Sequence, residues 1–69
     1  MQGMTRSNED LRERLAAIAE ELADRAMLAL REAIEAGATG RPDEERRLTR
    51  ARTAVEKAIH LLDEPDDHG

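Results

Sequence analysis

One interruption in the middle of the chain limits what it can fold into. The stretch GATGRP, residues 37–42, contains two glycines and a proline, and no other glycine or proline stands between residues 4 and 64. Glycine and proline are the residues that most disfavour a helix interior, so they mark turns between helices. Both flanking segments are rich in alanine, leucine, glutamate and arginine, which favour helix. The sequence therefore predicts an all-α fold of two helices joined by one short turn.

The bounds of the two helices are predicted from ordinary start and stop signals. Ser7 is a suitable N-cap, and Asp10 follows it in the capping-box position. Gly37 is a suitable residue just after a helix, and Pro42 is a suitable first helical residue. The predicted segments are a disordered N-terminus at 1–6, an antiparallel helical hairpin at 7–63 (helix 1 about 8–36, turn 37–41, helix 2 about 42–63) and an acidic, disordered tail at 64–69.

Apolar residues recur at intervals of three and four along both segments, as on one face of an amphipathic helix. In helix 1 the apolar face is broad, because a second row containing Met27 and Ile34 runs beside the first. A broad face can contact two neighbours at once. The predicted core and interface residues are Leu11, Leu15, Ile18, Leu22, Met27, Leu30, Ile34, Leu48, Val55, Ile59 and Leu62.

A lone hairpin of this size would leave much of that apolar face in water. The 69 residues include no cysteine and no aromatic residue, so neither a disulfide nor a large aromatic core can compensate. Burial of apolar surface is favourable by ~25 cal/mol per Å². We therefore expect the hairpin to form a homodimer, an antiparallel four-helix bundle. Binding of another helical protein by the same face is the alternative that the sequence leaves open.

Composition and charge exclude several other functions. The net charge of -5 disfavours nonspecific binding to nucleic acid or to an anionic membrane. No apolar run is long enough to span a membrane, and the N-terminus lacks the apolar core of a signal peptide, so a cytoplasmic location is expected. Lys57 is the one lysine among eleven basic residues, a bias that suggests a GC-rich bacterial genome. No catalytic set accompanies the single serine, Ser7, so no enzyme and no cofactor are predicted.

An arginine-rich surface on helix 2 has two interpretations. Arg46, Arg47, Arg50 and Lys57 fall together on the side of the helix opposite its apolar stripe, which is typical of a solvated face. The alternative is a phosphate-contacting or DNA-reading helix. Helix 1 is too long for a DNA-binding helix-turn-helix, so we favour the solvated face. The candidate ligand or phosphate contacts are Arg46, Arg47, Arg50 and Arg52.

A polar stripe follows one flank of helix 2 at intervals of four, three, four and four residues: Glu45, Thr49, Arg52, Glu56 and His60. We interpret it as intrahelical pairs, such as Glu45–Thr49 and Arg52–Glu56. The spacing partly resembles the motif of actinobacterial cyclic di-GMP-binding anti-sigma factors, which carry Glu, Ser, Arg, Gln and Asp at these intervals on a helical hairpin. Glu45 and Arg52 match that motif, Thr49 is conservative, and the last two residues differ.

A metal site on the same stripe is a further alternative. Glu56 and His60 are four residues apart, but the Glu-x-x-His motif of metal-binding helical bundles is absent, so no metal is predicted. The sequence as a whole predicts a non-enzymatic protein-interaction or oligomerisation module, such as a small adaptor, docking element or assembly subunit. The alternative function is a small bacterial transcriptional regulator, anti-sigma-like or binding a nucleotide or nucleic acid through the arginines of helix 2.

Overall fold

Two α-helices that pack against each other make up the described part of the chain. The computed structural model describes the backbone of residues 3–63 and the side chains of residues 8–63. Helix α1 spans Gly3–Glu35 and helix α2 spans Asp43–Asp63, and these residues contain no β-strand. An ion pair joins Arg12 of α1 to Asp63 of α2, so the start of one helix lies beside the end of the other. The predicted all-α antiparallel hairpin is confirmed.

The end of α1 is set by Gly37. Its φ angle is +89°, in the left-handed region that glycine adopts without strain. The Gly37 N–H donates to the Ile34 carbonyl at 3.0 Å, and the Ala38 N–H donates to the Ala33 carbonyl at 2.9 Å. These two bonds form a Schellman motif, which satisfies carbonyls that the helix end would otherwise leave unpaired. The prediction for Gly37 is confirmed.

The start of α2 lies one residue later than predicted. The Pro42 carbonyl accepts the Arg46 N–H at 3.1 Å, so Pro42 immediately precedes the helix and its missing N–H breaks no helical bond. Asp43, Glu44 and Glu45 fill the first turn, where the positive end of the helix dipole stabilises carboxylates.

The start of α1 differs more from the prediction. The helix begins at Gly3, so Ser7 lies inside it and the predicted N-cap is wrong. A serine followed by an aspartate favours a helix start but does not prevent a helix from extending further, and residues 4–7 contain no proline or glycine. Residues 1–2 and the predicted tail at 64–69 lie outside the described residues.

The seam between the helices is lined largely by alanine. Ala19 and Ala26 are the two buried residues among residues 8–63, each 7% exposed, and they lie seven positions apart on α1. The half-buried residues on either side continue a spacing of three and four, as in an antiparallel coiled coil. Small side chains at the centre of such a seam allow the two backbones to approach closely. The half-buried seam residues are Arg12, Leu15, Leu22, Ala29, Ala33, Leu48, Ala51, Val55, Ala58 and Leu62.

The hairpin is one helix thick, with principal extents of 55 × 21 × 10 Å. A single layer of two helices has one internal seam, so no large side chain among residues 8–63 is fully buried. Neither described helix contains an apolar stretch long enough to cross a lipid bilayer.

Candidate interaction surface

Large apolar side chains lie on the surface of the hairpin, outside the seam. Their exposed fractions range from 43% for Leu11 to 64% for Ile34. Isolated apolar residues are common on protein surfaces, but here the exposed ones are larger than the residues that are buried. The exposed large apolar residues of the described chain are Leu11, Ile18, Met27, Leu28, Ile34 and Leu61.

One broad side of the hairpin carries most of these residues. At 100° per residue, Leu11 and Ile18 lie on one flank of α1 and Met27 and Ile34 on the opposite flank. A shallow groove on the first flank is lined by Leu28 together with Arg25, Ala29, Glu32, Ala33, Pro42, Glu44 and Leu48. By the same helical geometry Leu61 of α2 faces this side. We call it the leucine face and define it by Leu11, Ile18, Leu28 and Leu61.

The other broad side is rich in carboxylates. Two grooves along it contain Glu9, Glu13, Glu20 and Asp24 of α1 and Glu56 of α2. The arginines in these grooves are Arg12, which pairs with Asp63 at 3.2 Å, and Arg52, which pairs with Glu56 at 3.1 Å. We call this side the acidic face. Met27 and Ile34 lie at its turn end.

The predicted core residues divide into two groups. Leu15, Leu22, Leu30, Leu48, Val55, Ile59 and Leu62 are half-buried. The other four are exposed and do not belong to the core of the single hairpin, because one seam between two helices cannot cover a face as broad as that of α1. Their assignment to an interface stays a prediction. These exposed residues are Leu11, Ile18, Met27 and Ile34.

The prediction from sequence did not include several residues of the seam and of the surface. Ala19 and Ala26 were absent from the predicted core, although the three-four spacing from Arg12 to Ala33 passes through both. Leu28 and Leu61 were also missed, because each lies beside rather than within the main apolar stripe. Alanine at regular seam spacing is the signal that could have located the centre of the contact.

The polar stripe of α2 is internally paired. The Thr49 hydroxyl donates to Glu45 Oε2 at 3.0 Å, and Arg52 Nε donates to Glu56 Oε2 at 3.1 Å. Both pairs were predicted as intrahelical contacts, and both are confirmed. His60 is exposed near the end of α2. Glu45 is therefore hydrogen-bonded by Thr49, and Arg52 and Glu56 pair with each other where they line a groove of the acidic face.

Glu45 is the most enclosed carboxylate of that stripe, with 12% of its side chain exposed. Arg41 Nε donates to its Oε1 at 2.6 Å, and Thr49 donates to its other oxygen. The hydrogen bond from Arg41 lowers the pKa of Glu45 below its ordinary value, with a smaller contribution from Thr49, while burial opposes the shift. The same contact raises the pKa of Arg41. Glu45 therefore stays ionised and ties the turn to α2.

The arginine-rich surface of α2 is only partly paired. Arg46 donates to Asp43 within the first turn. Arg47 and Arg50 line a shallow concavity together with Asp43, Arg46 and Ala51, and neither makes an ion pair among the described residues. Such a surface can attract an anion, but Asp43 at its edge weakens the attraction.

The described residues contain no cluster of three or more acidic or histidine side chains that could hold a metal ion.

Comparisons of the chain with protein-family models, with curated proteins and with solved structures find no match.

Proposed function

We propose that the protein is a non-enzymatic interaction module that works as a homodimer, two hairpins forming an antiparallel four-helix bundle. The observation that carries the proposal is the imbalance between its core and its surface. Within residues 8–63 two alanines are buried, while six large apolar side chains are exposed. The buried side chains are thus the smallest apolar ones, and the large apolar side chains remain in contact with water. A contact with a second molecule would bury these large side chains and complete the core.

The energetics favour a second hairpin over a free one. A leucine or isoleucine side chain gains ~1.5–3 kcal/mol when it moves from full exposure to full burial. Half-exposed side chains gain a fraction of this, and several of them on one face add up to a substantial driving force. Fixing the backbone of one residue costs ~1–2 kcal/mol, so a hairpin with an alanine seam has little margin without that gain.

In the cell such a module acts by holding proteins together. Dimerisation presents two copies of each outer helix surface on a rigid bundle, which suits a small adaptor, a docking element or an assembly subunit of the bacterial cytoplasm. The paired polar stripe from Glu45 to Glu56 supports this proposal, because its groups already satisfy one another and offer no acid, base or nucleophile poised for chemistry.

Native mass spectrometry of the untagged protein over a concentration series tests the proposal. The expected result is a dimer whose mass equals two chains, with its population rising with concentration. A monomer at every concentration would contradict self-association. A complex that carries the extra mass of a nucleotide would instead support a ligand-binding regulator.

That regulator is the second candidate function, and the concavity lined by Arg46, Arg47 and Arg50 favours it. In this case these three arginines contact the phosphates of a nucleotide or nucleic acid, whereas Arg52, the fourth candidate from the sequence, lies on the acidic face and pairs with Glu56. Each phosphate contact would make the affinity fall steeply with salt, and each Arg→Ala variant would weaken binding and reduce the salt slope. Titration of a fluorescent duplex DNA and of cyclic dinucleotides at two salt concentrations measures this directly; the dimer proposal predicts no saturable binding at physiological salt.

A further inference from the structure

We infer that the second copy docks on the leucine face, leucine face against leucine face, with α2 of each chain lying on the partner's α1 and both turns at the same end of the bundle. This inference rests on the proposed self-association and adds to it the face, the pairing of helices and their direction. Each follows from a different observation.

Apolar surface is the first observation. Four of the six exposed large apolar side chains define the leucine face, and two lie at the turn end of the acidic face. The exposed residues of the leucine face run along the whole hairpin, from Leu11 and Leu61 at the open end to Leu28 near the turn. Docking on this face therefore buries more of the exposed apolar surface than docking on the other.

Charge is the second observation, and it disfavours the acidic face. Glu9, Glu13, Glu20, Asp24 and Glu56 line its grooves, and its two arginines are already paired within the chain. A two-fold interface places the same surface on both sides, so the carboxylates of two copies would be brought together. Like charges brought together in an interface repel each other and oppose association.

Two arrangements bring leucine face against leucine face. When the two-fold axis runs parallel to the helices, α2 lies on the partner's α1 and both turns are at one end. When the axis crosses the helices at right angles, α2 lies on the partner's α2 and the turns are at opposite ends. Both give antiparallel neighbours, as a four-helix bundle requires.

The charges of the leucine face distinguish these arrangements. Its α2 half carries Arg47, Arg50 and Lys57, and none of the three makes an ion pair within the described residues. By helical geometry its α1 half carries Arg14 and Arg25 as well as Glu21 and Glu32, and Arg25 pairs with Glu21 at 2.7 Å. Packing α2 on the partner's α2 would set three cations against three cations, whereas packing it on the partner's α1 sets them against a surface of balanced charge. The smaller repulsion therefore favours the parallel axis.

The positions of the apolar residues along the length of the hairpin also favour the two-fold axis parallel to the helices. The 3.2 Å ion pair between Arg12 and Asp63 places these residues side by side, so Leu61 is level with residue 14, between Leu11 and Ile18. With both turns at one end, Leu61 meets the partner's Leu11 and the partner's Ile18. With the turns at opposite ends, Leu61 would instead meet the turn half of the partner's α2, where the leucine face carries Arg47 and Arg50 and no large exposed apolar residue.

The choice of face is tested by two matched variants, Leu61→Asp on the leucine face and Ile34→Asp on the acidic face. Both side chains are at least 60% exposed in the hairpin, so neither substitution removes hairpin packing. Sedimentation equilibrium is expected to show a dimer dissociation constant raised at least about 30-fold by Leu61→Asp, as at the centre of an interface, and less than about threefold by Ile34→Asp.

The opposite ranking, with Ile34→Asp the more damaging variant, would overturn the choice of face while leaving self-association intact. A dimer unaffected by Leu61→Asp would overturn it as well. A wild-type chain that stays monomeric would instead contradict the proposed function itself, so the two failures are distinguishable.

The direction is tested by one spin label in the turn. The chain has no cysteine, so a Thr39→Cys variant carries a single label at an exposed position. With both turns at one end, the two labels of a dimer lie within two helix diameters, about 20 Å, in a pulsed dipolar measurement. A separation close to the 55 Å length of the hairpin would overturn the inferred direction.

Discussion

At Gly37 the backbone has a φ angle of +89°, and an added Cβ would meet no atom within 4 Å. The requirement for glycine is therefore conformational rather than steric. Gly37→Ala should lower the free energy of unfolding by about 1–2 kcal/mol, the cost of a left-handed residue that has a side chain. Urea unfolding at one fixed protein concentration measures this change.

Gly40 provides the matched control in the same turn. Its φ angle is not in the left-handed region, and an added Cβ would again find open space. Gly40→Ala should leave the stability unchanged or raise it by up to about 1 kcal/mol, because alanine restricts the unfolded chain. Equal losses at the two glycines would contradict the assignment of the left-handed position to Gly37.

Glu45 is expected to make stability depend on pH. Its folded-state pKa is lowered chiefly by the hydrogen bond from Arg41, so the ionised form stabilises the folded chain. That contribution is fully present above the unfolded pKa of about 4.3 and is lost as the pH falls through the lower folded value. Chemical unfolding at pH 7 and at pH 3 should show a smaller acid loss for Glu45→Gln than for the wild type.

Arg41→Gln is the partner variant for that experiment, since Arg41 Nε donates to Glu45 Oε1 at 2.6 Å and is the main cause of the lowered pKa of Glu45. It should reduce the acid loss in the same direction as Glu45→Gln. An Arg41→Gln variant with the full acid loss of the wild type would show that the contact between Arg41 and Glu45 is not the source of the pH dependence.

At the scale of the helices, close packing depends on alanine in the seam. Ala26 is 7% exposed, so a larger side chain there would push α1 and α2 apart. Ala26→Leu should destabilise the protein by about 1–3 kcal/mol, as overpacking does in well-filled cores. Ala17→Leu, on the exposed outer side of α1, adds the same volume and should change stability by less than about 0.5 kcal/mol. Thermal unfolding followed by circular dichroism distinguishes the two.

The helices also show what their sequence can and cannot predict. The end of α1 was predictable because Gly37 meets a local backbone requirement, and the pairs Glu45–Thr49 and Arg52–Glu56 were predictable because side chains four residues apart are neighbours on any helix. The start of α1 was not, because Ser7 can serve as a cap or as an ordinary helical residue. A residue suited to the N-cap position can start a helix, but a helix can also continue through it.

The sequence predicts which face of α1 packs against α2 more readily than it predicts which residues lie at the centre of that contact. Periodicity locates the apolar face of α1, but that face is broad, and hydrophobicity alone favours Leu11, Ile18 and Ile34 over Ala19. Which part of a broad face meets α2 depends on how closely two backbones approach, and small residues decide that. Large residues at the margins then stay exposed on the single hairpin.

The whole molecule is a layer 10 Å thick with apolar residues on its broad sides. In such a shape, secondary structure, turn and seam can all be well formed while the hydrophobic core is still incomplete. The central claim is therefore that the folded state is completed by association, so that folding and dimerisation are coupled.

The most direct test of this claim is the midpoint of thermal unfolding, followed by circular dichroism over a hundredfold range of protein concentration. For a dimer that dissociates as it unfolds, each tenfold rise in concentration stabilises the folded state by about 1.4 kcal/mol. The midpoint should then rise by about 5 °C for each tenfold step. A midpoint that stays constant over the whole range would show that the hairpin folds alone, and would contradict the account.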